Sequence, residues 1–208
     1  VITGVIGELG LGKTATLTYC GYQAFLKGEL VFSNYPLYFE HIKLTHPAHL
    51  FFIGEILDKV TVGGKVLLDE AWRWISSFLS QQKIQLVLSY IYTKSRKERW
   101  DLLYSTQRFK SIQIRLRSIS DSLFAPRGVP LGEVTPESFK VTVTDTQGLL
   151  KGKPFRFNLK EVIDLYDHEA ETYGFEDFQK SLLDQLVGVP IEKFHLGKLD
   201  IGEQRLEE

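Results

Sequence analysis

The run Gly7-Glu8-Leu9-Gly10-Leu11-Gly12-Lys13-Thr14 has the residue types and spacing of a phosphate-binding loop, G-x-x-x-x-G-K-[ST]. Its glycines let the backbone curl so that N–H groups point inward at phosphate oxygens. Lys13 is placed to reach the β- and γ-phosphates, and the Thr14 hydroxyl to hold Mg²⁺. Ala15 opens a helix whose N-terminal partial charge adds to the anion site. The expected ligands are ATP and Mg²⁺.

A loop of this kind specifies a nucleotide and leaves the reaction open. Lys65-Val66-Leu67-Leu68-Asp69-Glu70 supplies the next piece: an apolar strand ending in two carboxylates. The C-terminal end of a strand is where open α/β sheets place ligands. Asp69 is expected in the Mg²⁺ shell. Glu70 is expected to orient or deprotonate the attacking water. A third strand, Asp101 to Gln107, also ends in polar residues, and Gln107 is placed to touch the γ-phosphate or that water. On its own, each strand end also reads as an ordinary solvated one; the loop gives them their meaning.

These groups require a parallel sheet with a helix behind the loop. The pattern supplies a strand before Gly7, a helix from Ala15 to Leu26, and a strand at Leu30–Asn34 closed by Pro36. Phe52–Lys59 reads as a short helix. Ala71 to Arg99 reads as mostly helical, broken near Ser80-Gln81-Gln82. Trp74, Phe78 and Leu79, then Ile84, Val87, Leu88 and Ile91, have helical spacing. A basic polar stretch is expected from Gln107 to Asp121, strands at Ser122–Ala125, Phe139–Thr144 and Phe155–Phe157, and a Gly/Pro loop from Pro126 to Pro136. Leu159–Glu171 and Phe175–Leu186 read as terminal helices. The fold class expected is α/β, a P-loop NTPase of RecA/ASCE-like type. Its mostly parallel sheet is flanked by helices, with a few added C-terminal strands and helices, and residues 1–208 form one domain.

Composition narrows the setting. The chain has 208 residues, 43% of them hydrophobic, which suits one α/β domain and argues against disorder. Its net charge of −1 names no partner. The one cysteine, Cys20, permits no internal disulfide and fits a reducing compartment. No apolar run approaches a membrane span, and no signal peptide precedes the loop. The sequence contains no Met, which fits a start inside a longer natural chain. His41, His46 and His49 match no zinc spacing and are read as surface or packing residues. Charge is uneven. Lys94 to Arg127 holds nine basic and three acidic residues, whereas Lys160 to Glu208 holds five basic and thirteen acidic. That polarity fits either an anionic partner on one face or solvated helix faces.

The loop, the acidic strand and the segment ending Ser105-Thr106-Gln107-Arg108 together resemble the FtsK–HerA group of P-loop DNA-pumping ATPases. Lys94-Ser95-Arg96 is similar to a Lys-x-Arg that these proteins carry before the last strand. Within the group, Leu67 to Trp74, Phe32-Ser33-Asn34-Tyr35-Pro36-Leu37 and Tyr166-Asp167-His168-Glu169 look like the Zot-like branch. That branch includes assembly ATPases of filamentous phages and is close to viral genome-packaging ATPases. The resemblance covers about residues 1 to 170. Two departures stand: filamentous-phage members are usually membrane-anchored, and HerA-type members carry an N-terminal barrel. Neither feature is in this sequence, which therefore looks more like a packaging motor.

The resemblance implies an ATPase that drives viral double-stranded DNA into a preformed capsid, in host cytoplasm or virion. It implies a homo-oligomeric ring, pentamer or hexamer, with capsid or membrane-vertex proteins among its partners. It also implies an arginine supplied by the neighbouring subunit: Arg96 first, then Arg99, then Arg115 or Arg117. Lys110, Arg115 and Arg117 are the expected contacts to the DNA backbone. Three other readings remain open: a Zot-like ATPase for virion assembly or extrusion, a P-loop nucleotide kinase, and a non-hydrolysing nucleotide-gated scaffold.

Overall fold

The computed structural model describes residues 1–51, 53–58, 62–76, 81–97, 99–107, 114–130, 136–167 and 172. Eight strands form one sheet: β1 (Ile2–Ile6), β2 (Leu30–Ser33), β3 (Ile42–Lys43), β4 (Gly64–Leu68), β5 (Trp100–Thr106), β6 (Ser122–Pro130), β7 (Pro136–Asp145) and β8 (Phe155–Asn158). Their order is β3-β2-β4-β5-β1-β6-β7-β8. The first six in that order run parallel, and β7 and β8 add an antiparallel meander. One strand, β5, lies between the phosphate-loop strand and the acidic strand, so the ends of β1, β5 and β4 stand side by side.

Both faces of the parallel part are covered, which is why its strands read as nearly continuous apolar runs. Alternate residues serve opposite faces. Val66, Leu68, Leu102 and Tyr104 pack with Trp74, Leu88, Ile91, Leu116 and Ile119 on the face of α3 (Ala71–Ser76), α4 (Gln81–Lys97) and α5 (Ile114–Ile119). Val5, Val31, Leu67 and Leu103 pack with Leu17 and Ala24 of α1 (Lys13–Leu26) on the other. Gly21 lets α1 lie close to the sheet, since a Cβ there would stand 2.4 Å from Leu67. Between β3 and β4 come a 3-10 turn at Pro47–Phe51 and α2 (Ile53–Asp58).

Four expectations are corrected. Helix α5 forms where a basic polar stretch was expected, because Leu116 and Ile119 reach the core one turn apart. β6 continues through Pro126 to Pro130, within the expected Gly/Pro loop. Its pairing to β1 ends at Phe124, so Pro126 faces only β7 and its missing N–H breaks no second ladder. Leu159–Glu171 is not one helix. It makes two 3-10 turns, Leu159–Glu161 and Ile163–Leu165, and then extended backbone at Tyr166 that bridges Leu37. Asn158 and Glu161 do form a helix-starting capping box, but the bridge to Leu37 pulls the chain out of helix. Last, Lys13 and Thr14 already belong to α1, two residues ahead of the expected start. Phe78, Leu79, the helix expected at Phe175–Leu186, and the side chains of Ile84 and Val87 lie outside the described residues.

His49 is fully buried in the Pro47–Phe51 turn, and burial lowers its ring to about 3. His41 holds the Phe39 carbonyl through Nδ1. Among the described residues, no group of three or more His, Cys, Asp or Glu could hold a metal ion. Burial pushes the Cys20 thiol up to about 12, which makes it a packing residue. Among the same residues, no helix is long and apolar enough to cross a membrane.

Candidate nucleotide site

The loop Gly7–Gly12 links β1 to α1. Gly12 is the N-cap of α1, in the left-handed region at φ 80°, and no side chain caps the helix. The N–H groups of the first turn are therefore left to a ligand. Gly12 is required twice over. Its φ disfavours any other residue, and a Cβ there would meet the Phe139 ring of β7 at 2.3 Å. The meander thus forms the wall behind the loop. Leu9 is well exposed and Leu11 partly so, leaving the outer rim apolar.

Lys13 is nearly buried, and its Nζ donates to the Glu8 carbonyl at 2.9 Å. Burial lowers its pKa, against the charges of Asp69 and Glu70, which raise it. Lys13 thus rests on the loop backbone.

The acidic end of β4 is held on three sides. The Thr14 hydroxyl donates to Asp69 Oδ2 at 2.9 Å. The Ser105 hydroxyl, fully buried in β5, donates to Asp69 Oδ1 and accepts the Glu70 N–H at 2.8 Å. Asn34, just past β2, clasps the Asp69 backbone: its Oδ1 accepts the Asp69 N–H at 2.7 Å, and its Nδ2 donates to the Asp69 carbonyl at 2.9 Å. The Asn34 amide acts as an added rung of the β2–β4 ladder. Burial raises the Asp69 pKa, against the Ser105 and Thr14 hydrogen bonds. A hydroxyl and a carboxylate sharing one pocket are the hard oxygen donors that suit Mg²⁺.

Glu70 is in the left-handed region at φ 44°, where non-glycine residues are uncommon. Its N–H bond to Ser105 holds that conformation, and its carboxylate meets Arg73 at 3.4 Å. Gln107 stands exposed one residue past β5. Next to it, the Thr106 carbonyl accepts the Gly7 N–H at 3.3 Å.

The structure therefore brings Lys13, Thr14, Asp69 and Glu70 together at the C-terminal ends of the central strands β1 and β4. Arg96 lies on α4 and Arg115 on α5, but their side chains fall outside the described residues, as does Lys110 altogether. Arg117 is half-buried on α5. Sequence reasoning missed Asn34 and Ser105. Both are polar residues at or beside the end of a strand, which was the signal available for them.

No protein-family model matches the sequence, and no curated protein does. The fold is similar to the N-terminal domain of zonular occludens toxin from Neisseria meningitidis, with a TM-score of 0.54 at 19% identity, over 80% of this chain and 98% of that one. A weaker likeness is to the genome packaging NTPase B204 of Sulfolobus turreted icosahedral virus 2. Its complex with ATP-gammaS gives a TM-score of 0.47 at 12% identity, over 74% of this chain and 95% of that one. Its sulfate complex gives 0.49 at 13%, over 74% and 94%. The strand order and the loop define the class: a P-loop NTPase fold. Within that class the chain shares the fold of the toxin's N-terminal domain.

Proposed function

We propose that this chain binds ATP with Mg²⁺, hydrolyses it, and uses the energy to move double-stranded DNA into a viral capsid. The observation that carries the ATPase reading is the Thr14–Asp69 contact at 2.9 Å with Glu70 next in the chain. The loop N–H groups and the α1 N-terminus bind the phosphates, and Lys13 leaves the Glu8 carbonyl to reach the β- and γ-phosphates. Thr14 and Asp69 would hold Mg²⁺, which would supply positive charge to neutralise the phosphates. Glu70 orients the attacking water and takes its proton as the water oxygen bonds to the γ-phosphorus and the bridge to ADP breaks. Gln107 is placed to sense the γ-phosphate. The finer reading, a DNA motor working as a ring with an arginine in trans, is supported by the Lys94-Ser95-Arg96 and Ser105-Thr106-Gln107 segments.

ATPase activity measured with and without duplex DNA, over a range of protein concentration, tests both levels. A motor shows turnover that rises with duplex and with concentration. Turnover indifferent to both leaves an ATPase and removes the DNA motor. One observation favours virion assembly or extrusion as a second reading. Two of the three Zot-like segments, distant in sequence, meet in space through the Leu37–Tyr166 bridge, and Asn34 of the first clasps Asp69 of the third, Leu67 to Trp74.

A further inference from the structure

The β6–β7–β8 meander carries a row of three cations. Arg127 of β6 stands opposite Lys140 of β7, and Lys140 stands opposite Arg156 of β8. Residues directly opposite on neighbouring strands point to the same face. All three are exposed. On β7 the adjoining Phe139 and Val141 are buried against α1, so Lys140 and its row face the other side. Further along the sheet, that side carries Leu116 and Ile119 of α5. Strands lie about 4.8 Å apart, so the row spans about 10 Å.

Like charges directly opposite across strands destabilise a sheet. None of the three is paired with a carboxylate among the described residues. The flanking strand positions on this face are Ala125 and Thr142 on one side, and Val129, Ser138 and Asn158 on the other. They supply hydroxyls and an amide and no negative charge. Three cations on rigid strands, flanked by neutral hydrogen-bonding groups, form a surface for a linear polyanion. Duplex DNA carries one negative charge per about 1.7 Å of axis.

We infer that the Arg127–Lys140–Arg156 row is a contact surface for the phosphodiester backbone of duplex DNA. It holds the backbone without reading sequence. This rests on the DNA-motor reading and assigns its contact to the meander rather than to Lys110, Arg115 and Arg117. It also places DNA one sheet thickness from the nucleotide: Lys140 would touch phosphate on one face while its neighbour Phe139 packs on Gly12 on the other.

The test is fluorescence anisotropy with a 30-base-pair duplex and a single strand of equal length, titrated between about 50 and 200 mM salt. R127Q/K140Q/R156Q is compared with K27Q/K43Q/K160Q, which removes equal charge from exposed lysines off the row. The row variant should lower the slope of log affinity against log salt by about 2.7, at about 0.9 per lost phosphate contact, and weaken duplex binding about 100-fold or more at 0.1 M salt. The off-row variant should keep the parent slope. Single K140Q should lower the slope by about 0.9, and R127K/R156K, which keeps both charges, should leave it at the parent value. The melting temperature of the row variant should equal or exceed the parent's, since a like-charge row has gone. Parental duplex binding in the row variant, equal loss in the off-row variant, or loss confined to the single strand overturns the inference and leaves the motor reading standing. A parent that binds no duplex overturns both.

Discussion

Gly12 and Phe139 occupy one space: the ring of Phe139 stands where a side chain at position 12 would begin, 2.3 Å from an ideal Cβ. The phosphate loop and the antiparallel meander are therefore shaped to each other. Gly12→Ala should lose stability twice, through its left-handed backbone and through overpacking of about 1–3 kcal/mol. Phe139→Ala should cost about 3–5 kcal/mol by leaving a cavity. The double variant should be less damaged than the sum, because the clash is gone. Denaturant unfolding of all four proteins measures the coupling; strict additivity would mean that ring and loop do not press on each other.

Ser105 and Asn34 fix the turn that presents Glu70. Ser105→Ala leaves the partly buried Glu70 N–H without its acceptor and frees one Asp69 oxygen, a loss of about 1–3 kcal/mol. Asn34→Ala removes both rungs to the Asp69 backbone. Each should lower turnover by about tenfold or more while ATP affinity changes less, since neither touches the phosphate loop. Single-turnover kinetics beside calorimetric binding separates the two effects. Equal losses in affinity and turnover would show general unfolding of the site instead.

Asp69 is held above the ordinary carboxylate range by burial, so its ionised form opposes folding. The sign follows from linkage. Stability is unaffected below the unfolded value near 4, falls as pH rises from there through the raised folded value, and stays reduced above it. Asp69→Asn removes the charge and can keep hydrogen bonds to Ser105 and Thr14, whose hydroxyls rotate. Without nucleotide it should melt at the same or a higher temperature than the parent at pH 7, with the gap closing toward pH 4. Mg²⁺ with ATP should stabilise the parent much more than the variant. Scanning calorimetry across pH, with and without Mg·ATP, checks both parts; a gap that widens as pH falls contradicts the sign.

The loop was legible in the sequence because it is a backbone device, and backbone conformation leaves glycines behind. The carboxylates were legible because a buried strand that stops at two acids is conspicuous. Ser105 and Asn34 were not, since their partners depend on which strands are neighbours and in what register: Leu68 faces Tyr104, and Ser33 faces Leu67. Pro126 misled in the same way. A proline signals a break unless one knows that β6 has already outrun β1. The short helix α5 was hidden by its two arginines and its brevity, and the stretch after Asn158 by a correct capping signal followed by a tertiary bridge.

ATP binding through Lys13 and hydrolysis through Glu70 are tested together in one set of three proteins. The most direct measurement is ATP affinity and turnover in the parent, Lys13→Ala and Glu70→Gln. Lys13→Ala should lose most of its affinity, because the phosphates lose a point charge and its hydrogen bonds. Glu70→Gln should bind ATP as the parent does and turn over about a hundredfold more slowly or worse. Parental affinity in Lys13→Ala together with parental turnover in Glu70→Gln would contradict both assignments.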